Sequence, residues 1–186
     1  MIKKILAAVA IAIVLFLGYA ATRPSQYRVA RSASVNAPAS VVYQQVSDFH
    51  RWEAWSPWEK LDPAMKKTFS GPESGKGAGY AWAGNAKVGE GKMAILDAEP
   101  DRRVEIRLEF IKPFAGVSQT VFAFAPKGEA TEVTWAMAGT NNFVAKVFGV
   151  FMDLDKAIGG DFERGLANLK AVSEAQKPAA RPAAAR

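Results

Sequence analysis

A long apolar stripe near the C-terminus constrains what this chain can fold into. Within 141–175, large apolar side chains recur at steps of three and four residues: Phe143, Val147, Val150, Phe151, Leu154, Ile158, Phe162, Leu166, Leu169 and Val172. This spacing places them on one face of a helix. One continuous helix would be about 50 Å long at about 1.5 Å per residue, which exceeds a compact domain of this size. We therefore predict a short helix, a kink within Met152–Gly160, where Gly159 and Gly160 are adjacent, and a main helix to about Glu174.

The residues before the stripe predict the sheet that covers it. A short helix over Ser40–Ser47 and a helical turn within Asp48–Trp58 follow the first predicted strand. Alternating or β-rich segments predict strands at 26–35, 65–70, around Tyr80 and Trp82, and at 88–97, 103–110, 117–125 and 131–138. Antiparallel strands with a helix packed on one face belong to the α+β class. The expected fold is a curved antiparallel sheet of six or seven strands around a long C-terminal helix.

Charge argues against a nucleic-acid partner. The formal net charge is +6. Five basic residues lie in 1–23 and 181–186, where no acidic residue is present: Lys3, Lys4, Arg23, Arg181 and Arg186. The body between those ends therefore carries a net charge of only about +1, which is too small to indicate nucleic-acid binding.

The inventory of reactive side chains is short. The chain has no cysteine and one histidine, His50, so cysteine chemistry and a multi-histidine metal site are excluded within one chain. His50 follows Asp48 closely, but no nucleophile or orienting partner is evident nearby, and we interpret it as exposed or as making a structural hydrogen bond. We expect no metal, no cofactor and no catalytic residue.

The N-terminus carries a membrane or export signal. Lys3 and Lys4 precede Ile5–Ala21, seventeen residues without a charge, or about 25 Å of helix. A signal peptide cleaved after a small-x-small site at 18–20 is one interpretation, which would give a secreted protein. We favour a single-pass anchor, with the body exported to the periplasmic or extracellular side. Its membrane-embedded residues would include Ile5, Leu15, Phe16 and Leu17.

Five stretches carry a family resemblance: VNAPASVVYQQVSDFHRWEAWSPW (35–58), DPAMKKTFSGPESGKGAGYAWAGN (62–85), VGEGKM (88–93), TEVTWAM (131–137) and DFERGLANLK (161–170). They resemble the START-like superfamily, also called SRPBCC, in its polyketide cyclase/dehydrase-like branch. The resemblance implies a helix-grip fold, in which a seven-stranded sheet wraps around the C-terminal helix and leaves an apolar cavity. Members bind lipids, sterols, polyketides or hormones, and some are cyclases or dehydratases.

The predicted layout has four parts. A membrane anchor or signal occupies 1–21, a linker 22–25, a START-like ligand-binding domain 26–176, and a disordered tail rich in alanine, proline and arginine 177–186. The function we favour is a membrane-tethered binding module for an apolar small molecule or lipid. The alternative is a polyketide cyclase or dehydratase-like enzyme that uses the same cavity.

Apolar and aromatic side chains are the candidates for lining that cavity. Trp82 and Tyr80 are preferred, because glycines and alanines around them leave room. The full set of candidates is Trp82, Tyr80, Trp52, Trp55, Phe110, Phe122, Trp135, Met137 and Phe151. The competing interpretation is that these side chains fill a closed core, as aromatic residues commonly do.

Overall fold

A computed structural model describes residues 1–151 and 153–176. The predicted tail at 177–186 lies outside the described residues, as do Met152 and the side chain of Leu154. The helices are α1 (Ile2–Thr22), α2 (Ala39–Ser47), a 3₁₀ helix (Phe49–Ala54), α3 (Phe143–Phe148) and α4 (Leu154–Ala175). The strands are β1 (Gln26–Val35), β2 (Lys66–Ser70), β3 (Gly79–Ala83), β4 (Glu90–Glu99), β5 (Arg103–Lys112), β6 (Gly116–Lys127) and β7 (Ala130–Thr140).

The seven strands form one antiparallel sheet in the order β1-β7-β6-β5-β4-β3-β2. Each strand from β2 to β7 pairs with the next in sequence, whereas β1 pairs with β7, from Gln26 opposite Thr140 to Val35 opposite Thr131. α2 and the 3₁₀ helix connect β1 to β2, and α4 packs against β1 and β7. The predicted α+β helix-grip architecture is confirmed.

The core lies between one face of the sheet and α4. Strand alternation puts every second side chain of β6 and β7 on that face, where they are buried: Ser118, Thr120, Phe122, Phe124, Thr131, Val133, Trp135 and Met137. The helix contributes Phe162, Leu166 and Leu169, all buried. Because these helix positions follow the predicted spacing, the second half of the stripe packs as expected.

The part of the stripe from Phe143 to Phe151 does not join this core. A turn at 149–151 separates α3 from α4, and each helix has its own cap. The side chain of Asn142 accepts from the N–H of Ala145 at 2.8 Å, and that of Asp153 accepts from the N–H of Lys156 at 3.2 Å. The break therefore begins before the predicted range and lies upstream of the glycine pair, and the Asp153 side chain caps α4 where it begins.

Gly159 and Gly160 lie inside continuous helix. A Cβ on Gly159 would overlap the guanidinium of Arg31, which crosses α4 at this point. Arg31 pairs there with Asp155 at 2.9 Å and with Glu163 at 2.7 Å. Gly159 thus permits a close approach between α4 and β1 and does not mark a kink.

Two glycines of α4 provide a matched test of how closely the helix approaches the sheet. A Cβ on Gly165 would lie 2.7 Å from Cζ3 of Trp135, whereas a Cβ on Gly160 meets only the Arg164 side chain, at 3.8 Å. Gly165→Ala should lower the free energy of unfolding by about 1–3 kcal/mol, since the packed ring cannot move freely. Gly160→Ala should raise it by up to about 1 kcal/mol through better helix propensity. Urea unfolding measures both, and equal stabilisation by the two variants would contradict the close packing.

Candidate functional site

A cavity of about 350 Å³ lies between the concave face of the sheet and α4. Side chains from six strands, from the segment after the 3₁₀ helix and from α4 contribute to its walls. Most of the lining is apolar: Trp52, Trp58, Met65, Tyr80, Trp82, Val88, Met93, Leu108, Phe110, Trp135, Met137, Ile158 and Phe162. A mostly apolar concave site with few polar groups is the usual form of a small-molecule pocket.

Six of the nine cavity residues considered from the sequence line this space: Trp52, Tyr80, Trp82, Phe110, Trp135 and Met137. Trp55 and Phe122 are fully buried beneath it. The Trp55 ring lies edge-on to Trp135 at 5.7 Å and to Phe122 at 6.0 Å. These two residues belong to the packed core that supports the cavity floor.

Phe151 lies outside the cavity, contrary to the expectation from its place in the stripe. It is 79% exposed, and its ring centroid is 5.4 Å from that of Phe16 in α1. The reason is the turn at 149–151, which directs the chain before α4 away from the sheet. The helical spacing of apolar residues continues across this turn, but the residues before it pack on α1 and those after it pack on the sheet.

Trp82 forms one wall of the cavity because a glycine lies beneath its ring. A Cβ on Gly91, its partner on β4, would overlap the indole. The indole N–H of Trp82 donates to the carbonyl of Val88 at 3.0 Å, and Tyr80 stacks beside it with centroids 5.9 Å apart. The ring is thereby held against the sheet and does not project across the space.

Tyr27 is held in a similar way at the β1 end of the cavity. It pairs across the strands with Gly139, where a Cβ would lie 2.7 Å from the Tyr27 hydroxyl. That hydroxyl forms a hydrogen bond of 2.8 Å with the hydroxyl of Ser118. Glycine again allows an aromatic ring to lie flat on the sheet.

Glu59, in the cavity wall, forms an ion pair with Lys67 behind it that sequence analysis missed. The Glu59 side chain is only 8% exposed and accepts hydrogen bonds from the Lys67 ammonium and, at 3.2 Å, from the Tyr80 hydroxyl. Burial raises the pKa of Tyr80, and the nearby Glu59 carboxylate raises it further. Burial alone would lower the pKa of Lys67, but its hydrogen bond to Glu59 contributes to a net increase. Tyr80 therefore stays protonated at neutral pH and donates to Glu59. No spacing rule relates Glu59 to Lys67, so the sequence offered no signal for this pair.

Two further polar groups at the cavity have no protein partner in the described part of the chain. They are the Thr120 hydroxyl and the indole N–H of Trp135, and both residues are buried. They lie on neighbouring strands, since Thr120 pairs with Met137 and Phe122 pairs with Trp135. Diagonal neighbours on one sheet face lie about 7–8 Å apart, so one bound ligand can reach both. Each can donate one hydrogen bond to an acceptor oxygen. Strand alternation in β6 was the signal that could have indicated Thr120.

His50 lies away from this cavity. Its Nδ1 is 3.0 Å from Oδ1 of Asp48, and its ring stacks on Phe69 with centroids 4.0 Å apart. The imidazole is about half exposed. Within residues 1–151 and 153–176, no three histidine, cysteine, aspartate or glutamate side chains are grouped as a metal site would require. The interactions of His50 are structural in character.

Comparison with known proteins gives a family and a fold. The model of a family described as "Polyketide cyclase / dehydrase and lipid transport" matches residues 26–174. No curated protein matches the chain.

Solved structures share the fold at low sequence identity. A Chromobacterium violaceum protein is 16% identical with a TM-score of 0.57, over 82% of this chain and 99% of its own. A Rhizobium loti protein is 18% identical with a TM-score of 0.58, over 80% and 96%. DynU16, from the dynemicin biosynthetic locus, is 20% identical with a TM-score of 0.55, over 81% of this chain and 48% of its own. The first two match over nearly their whole lengths.

Proposed function

The chain belongs to the polyketide cyclase/dehydrase and lipid transport family, and from that premise we propose that it binds an apolar small molecule or lipid between the sheet and α4. The observation that carries the proposal is the open volume of about 350 Å³ behind apolar walls. Pockets that bury small ligands begin at about this size. The glycines under Trp82 and Tyr27 support it further, because they keep aromatic rings from filling the space.

The polar groups of the cavity suggest what the ligand carries. The hydroxyl of Thr120 and the indole N–H of Trp135 are buried donors without a protein acceptor in the described chain. Leaving such groups unpaired costs about 1–3 kcal/mol each. A ligand oxygen that accepts from each of them would remove that cost. We propose a mainly apolar ligand with a hydroxyl, carbonyl or carboxyl oxygen at its inner end.

Binding accounts for the charged groups better than catalysis does. Glu59 is already engaged by Lys67 and Tyr80. Asp161, the other carboxylate of the lining, pairs with Arg164. Lys87 and Lys112 also line the cavity, but both are exposed. General acid–base catalysis requires a titratable group within hydrogen-bond reach of the reacting atom. The exposed lysines are better placed to meet a ligand's polar end at the opening.

We also propose that α1 anchors the protein in a membrane, with the body on the exported side. α1 is 21 residues long and uncharged after Lys4, and its length of about 32 Å matches a hydrocarbon core of about 30 Å. Its apolar side chains, including Ile5, Leu15 and Leu17, are exposed on the protein surface.

Topology can be tested with the full-length chain. A reporter that is active only after export, fused behind Arg186, should be active, and the protein should stay in membranes washed with carbonate. A signal anchor and a cleaved signal peptide both begin with a short basic segment, which Lys3 and Lys4 provide before the apolar run. Recovery of a soluble form beginning near Ala21 would show a cleaved signal and exclude the anchor.

Trp82→Ala tests whether the space is a cavity or a packed core. Residues 25–186 are suitable, since they contain all seven strands and α4 and leave out only α1 and the residues next to it. Truncation of a fully packed tryptophan to alanine would lower the free energy of unfolding by about 3–5 kcal/mol. If one side of the ring faces open space, the loss should be only about 1–2 kcal/mol. Urea unfolding gives the stability, and titration with the apolar fluorophore N-phenyl-1-naphthylamine gives the affinity, which we expect Trp82→Ala to change several-fold.

The matched control is Phe69→Ala, an aromatic residue on the neighbouring strand outside the cavity lining. It should leave the probe affinity unchanged. A large stability loss in Trp82→Ala, together with no saturable probe binding to the unmodified body, would contradict the proposed function.

A further inference from the structure

We propose that α3 and the β5–β6 loop form a surface that inserts into the membrane beside the opening of the cavity. After the end of α1, ten large hydrophobic side chains are exposed within the described residues. Seven of them belong to two short segments and define the surface meant here: Ile111, Phe114, Val117, Phe143, Val144, Phe148 and Phe151. Such a concentration of exposed apolar side chains marks a contact site.

The two segments form one continuous surface. The ring of Phe114, in the β5–β6 loop, lies 5.5 Å from that of Phe148, in α3. Phe114 is 60% exposed and Phe148 is 51% exposed, although each contacts the other. Their contact holds the loop and the helix together, and their free faces remain available to a partner.

Contacts with α1 set the depth of this surface. Phe151 packs on Phe16, and the Lys146 ammonium donates to the carbonyl of Ala21 at 3.3 Å. The N–H of Asn141 also donates to the carbonyl of Ser25 at 2.6 Å. Phe16 lies six residues before the end of α1 at Thr22, or about 9 Å along the helix axis. Interfacial helices bury their apolar face about 5–10 Å deep. If α1 spans the bilayer, α3 lies at that interfacial depth.

Charge also favours a bilayer as the occupant. Residues 111–117 and 143–151 contain two basic residues, Lys146 and Lys112, which pairs with Glu90 of β4 at 2.9 Å, but no aspartate or glutamate. Basic residues beside an apolar face suit anionic headgroups. Tyr19, exposed near the end of α1, has the side-chain type common at membrane interfaces. We therefore assign the surface to lipid and not to a second copy of the chain.

The cavity opens next to this surface. Exposed residues among its lining mark the opening: Ala86, Lys87, Lys112 and Pro113. Pro113 directly precedes Phe114, so the loop that borders the opening also carries the membrane-inserting ring. An apolar ligand would then move between cavity and bilayer without crossing water. This consequence rests on the proposed ligand binding, whereas the membrane contact rests only on the proposed α1 anchor.

The test uses full-length protein, which has no cysteine of its own. Single variants Phe114→Cys and Phe148→Cys are labelled with an environment-sensitive dye and reconstituted into phosphatidylcholine–phosphatidylglycerol vesicles. Leu15→Cys in α1 reports whether the anchor is inserted. Leu96→Cys is the aqueous control, because Leu96 is 44% exposed near the end of β4 remote from Lys112. Doxyl-labelled lipids and aqueous iodide serve as the two quenchers.

We expect lipid quenching at positions 114 and 148 to exceed that at position 96 by about twofold or more, with iodide showing the reverse order. Lipid quenching at position 15 but iodide quenching at 114 and 148 would overturn the surface and leave the anchor intact. No lipid quenching at position 15 would overturn both. If unlabelled Phe148→Cys forms disulfide-linked dimers and the labelled variant shows no lipid quenching, the surface contacts a second copy of the chain and the proposal is overturned.

Discussion

The stacking of Trp135 on Phe162 is the contact on which the arrangement depends. The two rings are nearly parallel, with centroids 4.1 Å apart, and join β7 to α4. Gly165 permits this distance, since a Cβ there would lie 2.7 Å from the Trp135 ring. Phe122 stacks on Trp135 at 4.8 Å and continues into the packed core. Trp135 also borders the cavity, so its ring lies between the packed core around Phe122 and the open space of the cavity.

The cavity exists because aromatic side chains lie along the sheet and do not project toward α4. Trp82 rests over Gly91 and Tyr27 over Gly139, and each uses its polar atom to hold that position. A larger residue at either glycine would displace the ring toward α4. The cavity is thus a consequence of where glycine faces an aromatic side chain, and the polar atoms of these two rings are satisfied without crossing the space.

Much of this architecture was predictable from the sequence, and the remainder was not for identifiable reasons. Alternation in β6 and β7 and the spacing from Ile158 onward indicated which faces turn inward. A hydrophobic pattern shows which face of a strand or helix turns inward, but not whether a side chain is packed in the core or lines a cavity. Trp55 and Phe122 could therefore not be distinguished from lining residues such as Trp82. Phe151 followed the helical period, yet it packs on α1, because periodicity does not specify the partner. The pair of Glu59 and Lys67 arises from tertiary structure alone.

Native mass spectrometry of residues 25–186, purified without added lipid, tests the central claim that the space between sheet and α4 holds a ligand. The account predicts a one-to-one complex with a mainly apolar, oxygen-containing molecule, which is released on collisional activation. It also predicts that the ligand-free fraction takes up a molecule from a total lipid extract. Only ligand-free masses, before and after incubation with that extract, would contradict the account.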